Sequence, residues 1–331
     1  MSRPSTFSAI LAVMFAAVLA APASEAGAPM SRADNPGFYR MTLGDFQVTA
    51  LSDGTHVFPV DTVMIDTTQD RVETALARDA LSLPLQGSIN AFLVNTGSKL
   101  VLIDTGAGAL YGDCCGKLLS NLRAAGYEAG QVDEILLTHL HKDHVGGVLH
   151  DGKIAFPNAI VRVARVEADY WRSRSKRQAA PEFLHSFFDS AAAALAPYEA
   201  AGRLRFFNGD AEVVPGIRSL AEAGHTPGHT GYEVESRGQK LLLWGDIVHV
   251  APVQLTDPRA SVKYDSSDKD AQAARGALLA RAAREHFLVG AAHVAFPGLG
   301  RVERDGEGYR WIATNYETAP GASRPKATDV K

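Results

Sequence analysis

A cluster of histidines and one aspartate, placed directly after an apolar run, constrains this chain most. The run 132–137 is rich in aliphatic and β-branched residues, which is typical of a buried strand. The segment Thr138-His139-Leu140-His141-Lys142-Asp143-His144-Val145-Gly146-Gly147 follows it without a break. On an extended stretch His139 and His141 point to one side, and a turn that starts a helix brings Asp143 and His144 to an adjacent position. Imidazole and carboxylate groups suit Zn²⁺, so the spacing predicts neighbouring ligand sets for two ions.

Three further candidate ligands lie downstream in Gly- and Pro-rich loops or at predicted strand ends. His225 opens the segment His225-Thr226-Pro227-Gly228-His229, Asp246 follows the apolar run 241–244, and His293 closes the apolar run 287–294. Rigid scaffolds commonly present functional groups at such places. Taken singly, His293 fits a structural histidine and Asp246 a helix cap, but their common order after the first cluster makes them candidates to complete the ligand set.

The hydrophobic periodicity predicts an α/β fold. Residues 44–54 alternate apolar and polar side chains and predict a strand that breaks into a turn at Asp53-Gly54. Elsewhere the pattern predicts strand hairpins at 90–95 with 99–104 and at 231–234 with 240–244, a strand at 159–165, and helices at 117–125, 181–201 and 267–286. This order of elements predicts two packed sheets with helices outside, a four-layer αβ/βα sandwich.

The N-terminus differs from the rest of the chain. Arg3 precedes the apolar run 7–20, and small residues at 21–26 offer cleavage sites, so residues 1–26 are interpreted as a Sec-type signal peptide. A membrane anchor is the alternative, but the run is short for the roughly 20 apolar residues that a bilayer requires. Residues 27–331 are then expected to form one domain, either periplasmic or secreted, without a membrane association after cleavage.

Composition excludes some classes of partner. The 331 residues are 46% hydrophobic, enough for a sizeable core, and the formal net charge of -4 provides no overall positive field for nucleic acid. The partner is therefore expected to be a small-molecule substrate. The two cysteines, Cys114 and Cys115, are adjacent, so they do not predict a disulfide scaffold, and we assign them no function.

The chain resembles the metallo-β-lactamase-fold superfamily and, within it, the methyl parathion hydrolase group and more distantly the acyl-homoserine lactone lactonases. The resemblance spans about residues 37–317 and includes Leu43-Gly44-Asp45-Phe46, Asp104-Thr105-Gly106 and Phe296-Pro297-Gly298. It implies an αβ/βα fold with two divalent metals, expected to be Zn²⁺. One metal would be held by His139, His141 and His225, the other by Asp143, His144 and His293, with Asp246 bridging both.

The same resemblance implies roles around the metals. His229 would support its loop, and Asp104 would orient a ligand histidine. Tyr111, Trp171 and Phe188 match aromatic residues of the substrate pocket, with Tyr111 in place of a phenylalanine. His150 and His249 match no ligand position. Relatives of this kind are often dimers, so the resemblance makes a homodimer a candidate assembly.

The expected function is hydrolysis by a metal-bridging hydroxide that attacks small neutral esters, lactones or organophosphate triesters. Asp143 and Asp246 are the predicted catalytic residues, and Asp143 would relay a proton to the leaving group. A metal-dependent oxidoreductase similar to the persulfide dioxygenases is the main alternative, and a non-catalytic binding protein is another. A β-lactamase is disfavoured, because Asp246 stands where the zinc β-lactamases use a cysteine.

Overall fold

The computed structural model describes residues 30–31 and 34–318. The signal peptide predicted for residues 1–26 lies outside them and stays a prediction, as does the domain boundary that depends on it. Within the described ranges, no helix combines the length and apolar character needed to cross a membrane.

Two seven-stranded sheets form the centre of the fold. The strands of the first sheet, in spatial order and numbered along the chain, are β1 (Phe38–Leu43), β2 (Phe46–Phe58), β4 (Leu85–Asn95), β5 (Leu100–Ile103), β6 (Glu134–Leu136), β9 (Ile160–Ala164) and β10 (Leu204–Phe207). Those of the second are β11 (Glu212–Val214), β12 (Ile217–Ala221), β13 (Thr230–Ser236), β14 (Gln239–Leu243), β16 (Leu288–Gly290), β17 (Leu299–Asp305) and β18 (Gly308–Ala313). Two small pairs join β3 (Met64–Ile65) to β15 (Ser261–Val262) and β7 (Leu149–His150) to β8 (Lys153–Ile154).

Helices connect the strands and cover the outer faces of both sheets. They are α1 (Val60–Val63), α2 (Gln69–Arg78), α3 (Leu118–Ala124), α4 (Lys142–Val145), α5 (Arg165–Trp171), α6 (Arg174–Ala179), α7 (Glu182–Ala200), α8 (Ala251–Thr256) and α9 (Asp268–Glu285). Short 3₁₀ segments span Gly108–Cys114, Ala129–Gln131 and Gly146–Val148.

Alternating side chains in the sheets produce the four layers. In β5, Leu100 and Leu102 pack toward α3, α5 and α7, whereas Val101 and Ile103 face the second sheet. In β14, Leu241 and Leu243 face the first sheet, and Leu242 packs on the other side toward α8 and α9. Because successive residues of a strand point to opposite faces, each central strand supplies two cores. The predicted αβ/βα sandwich is confirmed.

Strand direction brings the candidate ligands to one edge of this sandwich. β5, β6 and β9 are parallel, as are β14 and β16. His139 follows the carboxyl end of β6, Asp246 that of β14 and His293 that of β16. Ligand sites in α/β sheets form at the carboxyl ends of the strands, and here the two sheets contribute to the same site.

The predicted turn at Asp53-Gly54 is wrong. Strand β2 continues through both residues to Phe58, with a register shift between Ser52 and Gly54 where it pairs with β4. A bulge of this kind lets the Asp53 side chain leave the strand pattern. Asp53 is fully buried and accepts hydrogen bonds from backbone N–H groups of the loop that follows β5.

Candidate metal centre

The structure brings the seven predicted ligands together in one buried cluster. One group contains His139, His141, His225 and Asp246, and a second contains Asp143, His144 and His293. Within each group the candidate ligand atoms lie within 4.8 Å of one another. These are the positions that metal ligands require; that each residue binds a metal remains our proposal.

Asp246 lies between the two groups. Its Oδ2 is 3.6 Å from His139 Nε2 and 3.4 Å from His225 Nε2, both of the first group. Its Oδ1 is 3.0 Å from His144 Nε2 and 3.2 Å from His293 Nε2, both of the second. One carboxylate thus faces both groups, an arrangement suited to bridging two cations.

The cluster leaves buried ligand atoms without hydrogen-bond partners. Among the described residues, His139 Nε2, His144 Nε2 and Asp246 Oδ1 are buried without a hydrogen-bond partner. His141 turns its Nδ1 toward the cluster, 3.0 Å from His225 Nε2. Buried atoms without a partner are rare in proteins because burying an unpaired polar group is costly. Divalent ions between these atoms would satisfy them, so the residues fit the metal centre.

The other nitrogen of three candidate ligands is held by an oxygen. His144 Nδ1 is 2.8 Å from Asp104 Oδ2, and His293 Nδ1 is 2.9 Å from the Ser88 carbonyl oxygen. His225 Nδ1 is 2.7 Å from Asp265 Oδ1. Such partners fix ring orientation and turn Nε2 toward the cluster, where it can bind a metal. Asp104 stands in the position the sequence suggested for it.

Sequence reasoning missed Asp265. It lies just after β15, in the segment that precedes α9, and neither its spacing from His225 nor its neighbours in sequence mark it. Arg275 of α9 reaches it from behind, with Nη2 3.9 Å from Asp265 Oδ2. The contact between Arg275 and Asp265 depends on the packing of α9 beside the second sheet. The sequence around Asp265 therefore gave no indication of its role.

Burial sets the protonation state of the first group. It lowers the pKa of His139, His141 and His225 well below the usual histidine value, and in each case a neighbouring histidine adds to the effect. Neutral imidazole is the form that binds metal.

Carboxylates dominate the second group. Burial alone would raise the pKa of Asp246, but the surrounding histidines, led by His144 and His293, together outweigh it and hold the pKa well below the ordinary range. Burial alone would lower the pKa of both histidines, but Asp246 and Asp143, with Asp104 beside His144, together outweigh it and raise the pKa. The centre therefore concentrates negative charge on Asp246, between the two groups.

The loop around Asp246 requires a glycine and a second histidine. Gly245 has a φ of +54°, and a Cβ there would lie 2.6 Å from His229 Nε2. That nitrogen accepts a hydrogen bond from Asp246 N–H at 3.0 Å. His229 thus supports the backbone of Asp246, consistent with the supporting role suggested by the sequence.

A cavity of about 300 Å³ opens beside the cluster. Tyr111, Phe187 and Tyr264 form aromatic parts of its wall, together with Asp143. The Tyr111 hydroxyl lies beside the Asp143 carboxylate, and burial, followed by this charge, raises its pKa. Tyr111 is therefore where a substrate-pocket residue would be.

Trp171 and Phe188 do not line this cavity, which corrects the sequence prediction. They are 1% and 2% exposed and belong to the core between the first sheet and its helices. Phe187, the preceding residue of α7, faces the cavity instead. One position along a helix turns the side chain by about 100°, which is why the prediction missed by a single residue. Trp171 packs edge-on against His141, with ring centroids 5.0 Å apart.

His249, left unassigned from the sequence, is part of the site. It is 7% exposed, its Nε2 is 3.1 Å from Asp246 Oδ2, and its ring stacks on His293. His150, by contrast, is exposed. Cys114 and Cys115 are free thiols, and Cys114 Sγ donates to the Tyr111 carbonyl at 3.2 Å.

The fold and this site define a class of protein. Residues 85–293, more than half of the chain, match the family model described as the Metallo-beta-lactamase superfamily. The chain belongs to this superfamily. Its homologues and structural neighbours are hydrolases.

Two solved structures are similar over most of the chain. One is the hydrolase AbOPH of the beta lactamase superfamily, with 37% identity, a TM-score of 0.82, and coverage of 86% of this chain and 100% of that one. The other is AidC, a dizinc quorum-quenching lactonase solved with an N-acylated L-homoserine product, with 27% identity, a TM-score of 0.80, and coverage of 85% and 98%.

A curated relative matches over a shorter segment. The N-acyl homoserine lactonase of Bacillus cereus is 27% identical over 127 residues, which are 38% of this chain and 42% of the lactonase. The match thus spans less than half of that relative.

Proposed function

We propose that this chain hydrolyses small neutral lactones or esters at a dinuclear metal centre, with organophosphate triesters as a further substrate class. The observation that carries the proposal is the set of buried, unpartnered ligand atoms arranged around the shared carboxylate of Asp246. The dizinc lactonase and the hydrolase AbOPH support it as relatives of the same fold.

Bound metal ions would activate water, and two carboxylates of the protein would support this reaction. Two divalent ions, when bound, would lower the pKa of a bridging water so that hydroxide forms at neutral pH, and would polarise the oxygen of the substrate. Asp246 would hold the two ligand sets together and offset the charge of the ions. Asp143 borders the cavity and is partly accessible. Its carboxylate can carry a proton from the attacking water to the leaving oxygen.

The cavity favours a lactone or ester over a phosphotriester. Its aromatic wall can hold an apolar substituent, while the Tyr111 hydroxyl offers a hydrogen-bond donor to a carbonyl or ring oxygen. A phenylalanine would provide only the apolar surface. The phenylalanine that Tyr111 replaces belongs to the pattern of the methyl parathion hydrolase group, so this more polar wall supports carbonyl substrates as the primary class.

A substrate panel tests this proposal. The zinc-loaded protein should hydrolyse an N-acyl homoserine lactone and an aryl ester faster than a dialkyl aryl phosphate, and a β-lactam slowest. No hydrolysis of any lactone, ester or phosphotriester would refute the proposal. Bound iron together with oxygen or persulfide consumption would identify the oxidoreductase instead.

Metal counting tests the centre directly. The wild-type protein should bind about two metal equivalents, and Asp246→Ala should lose metal and reduce kcat/KM by about 100-fold or more, beyond the usual effect of losing an outer partner of a metal ligand. Asp169→Ala is the matched control, because Asp169 is exposed on α5. Full turnover by Asp246→Ala would exclude the bridging role.

A further inference from the structure

A glutamate that the proposed mechanism does not use lies behind the first ligand group. Glu167 of α5 is fully buried, with 0% exposure. Its Oε1 accepts a hydrogen bond from Leu140 N–H at 3.0 Å, and its Oε2 accepts one from Gly228 N–H at 2.8 Å. One carboxylate therefore connects two separate loops.

Both of these loops carry candidate ligands. Leu140 stands between His139 and His141, and Gly228 lies three residues after His225. The first loop follows β6 of one sheet, and the second follows β12 of the other. A ligand group drawn from two sheets depends on contacts that hold the loops at a fixed separation.

Close packing around Glu167 leaves this connection little freedom. A Cβ on Gly228 would lie 2.5 Å from the backbone nitrogen of Glu167, so the second loop rests directly on α5. One helical turn further on, Trp171 packs against the ring of His141. At the strand end of the loops, Thr230 N–H donates to the Thr138 carbonyl at 2.9 Å. Glu167 thus holds the other end, where the histidines project.

We propose that Glu167 is a positioning residue that sets the spacing of His139 and His141 against His225, so that these three side chains can share one metal. The inference rests on the dinuclear centre proposed above. Glu167 does not touch the metal or the substrate in this role; it acts through the two backbone N–H groups. Outer partners of metal ligands typically contribute 10- to 100-fold in metal affinity.

Replacing one carboxyl oxygen of Glu167 by an amide NH₂ tests whether the two accepted hydrogen bonds matter, rather than the mere presence of a buried acid. In Glu167→Gln, the amide NH₂ cannot accept a hydrogen bond, so either Leu140 or Gly228 loses its acceptor. Glu222→Gln is the matched control. Glu222 is also a buried glutamate and lies three residues before His225. Within the part of the chain that the structure describes, its side-chain oxygens have no hydrogen-bond partner. Both variants replace one buried carboxyl group, but only Glu167→Gln disturbs the loops.

The readout is metal affinity, measured by zinc and cobalt competition against a chelator, with the cobalt absorption spectrum recorded. We expect Glu167→Gln to bind one of the two ions about 10- to 100-fold more weakly, while Glu222→Gln binds both as the wild type does. The cobalt spectrum of the ion retained by Glu167→Gln should match that of His225→Ala, because both changes affect the same ligand group. Glu167→Asp, which keeps the charge but shortens the reach, should show the same loss if Glu167→Gln does not fold.

The outcomes separate the two proposals. If the wild type binds fewer than two ions, the dinuclear centre itself fails. If the wild type binds two ions and the folded Glu167 variants bind both with unchanged affinity, the positioning role alone is refuted. An equal loss of affinity in Glu167→Gln and Glu222→Gln would also refute it, since it would reflect the loss of any buried carboxyl group.

Discussion

At the scale of single residues, the Tyr111 hydroxyl offers a direct test of substrate choice. It lies in the cavity beside Asp143, whereas the aromatic ring supplies the apolar wall. Tyr111→Phe removes only the hydroxyl. We expect kcat/KM to fall about tenfold for a lactone, the effect of one hydrogen bond of about 1.4 kcal/mol. Phosphotriester hydrolysis should be unchanged or higher.

Tyr127→Phe controls for the loss of a tyrosine hydroxyl outside the cavity, since Tyr127 bonds Gln47 and Asn95. Kinetics on a lactone and a dialkyl aryl phosphate, with metal content checked in each variant, make the comparison. An equal loss on both substrates would show that Tyr111 supports the fold rather than selecting the substrate.

A second residue, Glu222, is expected to make stability depend on pH. Burial raises its pKa to about 8 despite the lowering effect of Arg281. The folded protein therefore keeps this proton at pH values where the unfolded chain has released it, so stability falls as pH rises from about 4.5 to about 8. Glu222→Gln removes this dependence.

Thermal melting of Glu222→Gln and the wild type across this range tests the expectation. The variant should melt at nearly the wild-type temperature near pH 5 and be more stable near pH 9, by about 1–3 kcal/mol, the cost of an unsatisfied buried group. A constant difference between the two proteins at all pH values would contradict the raised pKa.

The residues that the sequence indicated and those that it did not differ in the range of their contacts. His139, His141, Asp143 and His144 lie within six positions, so their pattern is visible locally. Glu167, by contrast, reaches one loop 27 residues away and another 61 residues away. A buried acid of this kind has no mark in its own sequence neighbourhood. It is recognised only once both sheets are in place.

At the scale of elements, Asp53 organises the loop that carries Tyr111. Its Oδ2 accepts hydrogen bonds from the N–H groups of Ala107, Gly108 and Gly116 at 2.9 to 3.2 Å, and its Oδ1 accepts one from Leu118 at 3.1 Å. We expect Asp53→Asn to destabilise the protein by about 2–4 kcal/mol, because the amide NH₂ faces buried donors. KM should also rise as the Tyr111 loop loosens.

Asp133→Asn is the control, since Asp133 is more exposed and its Oδ2 accepts a hydrogen bond from the backbone N–H of Leu100. Denaturant unfolding of both variants measures the difference. A loss in Asp53→Asn no larger than that in Asp133→Asn would refute the organising role.

The hydrophobic periodicity predicted which segments are helices, but it did not predict which side of a helix faces the cavity. The helix predicted at 181–201 is Glu182–Ala200 in the structure, and that predicted at 267–286 is Asp268–Glu285. Which side of α7 faces the cavity depends on its packing against α4, α5 and α6, so Phe187 rather than Phe188 reaches it. The Asp-Gly pair at 53–54 likewise had the composition of a turn, and only the buried N–H groups around Asp53 explain why the strand continues.

At the scale of the whole molecule, the two sheets meet at the metal centre. Each sheet supplies ligands from the ends of its strands, and neither sheet alone carries a complete group, since His225 and Asp246 come from the second sheet and His139 and His141 from the first. Metal binding is therefore coupled to the assembly of the sandwich. The export signal and its compartment stay predictions from the N-terminal sequence.

This coupling predicts that metal removal destabilises the whole fold. An ion that binds only the folded chain stabilises it by about 4 kcal/mol when its concentration is about 1,000 times Kd. A chelator should therefore lower the melting temperature of the zinc-loaded protein, and zinc should restore it. The exposed His150→Ala variant should respond as the wild type does.

Lowering the pH should destabilise the zinc-loaded protein, as the chelator does. Burial lowers the pKa of His139, His141 and His225. Below about pH 6.5 these residues therefore bind protons in the unfolded chain but not in the folded protein, so the folded protein becomes less stable as the pH is lowered. The raised pKa values of His144 and His293 oppose this slope in the metal-free protein. In the zinc-loaded protein all five histidines must be neutral to bind metal, so this opposing effect disappears.

We therefore expect the difference in melting temperature between zinc-loaded and metal-free protein to shrink as pH falls from about 7.5 to about 5. We expect kcat/KM to fall over the same range. A hydrolysis rate and a melting difference that both stay constant down to about pH 5 would contradict histidine-bound metal at this centre.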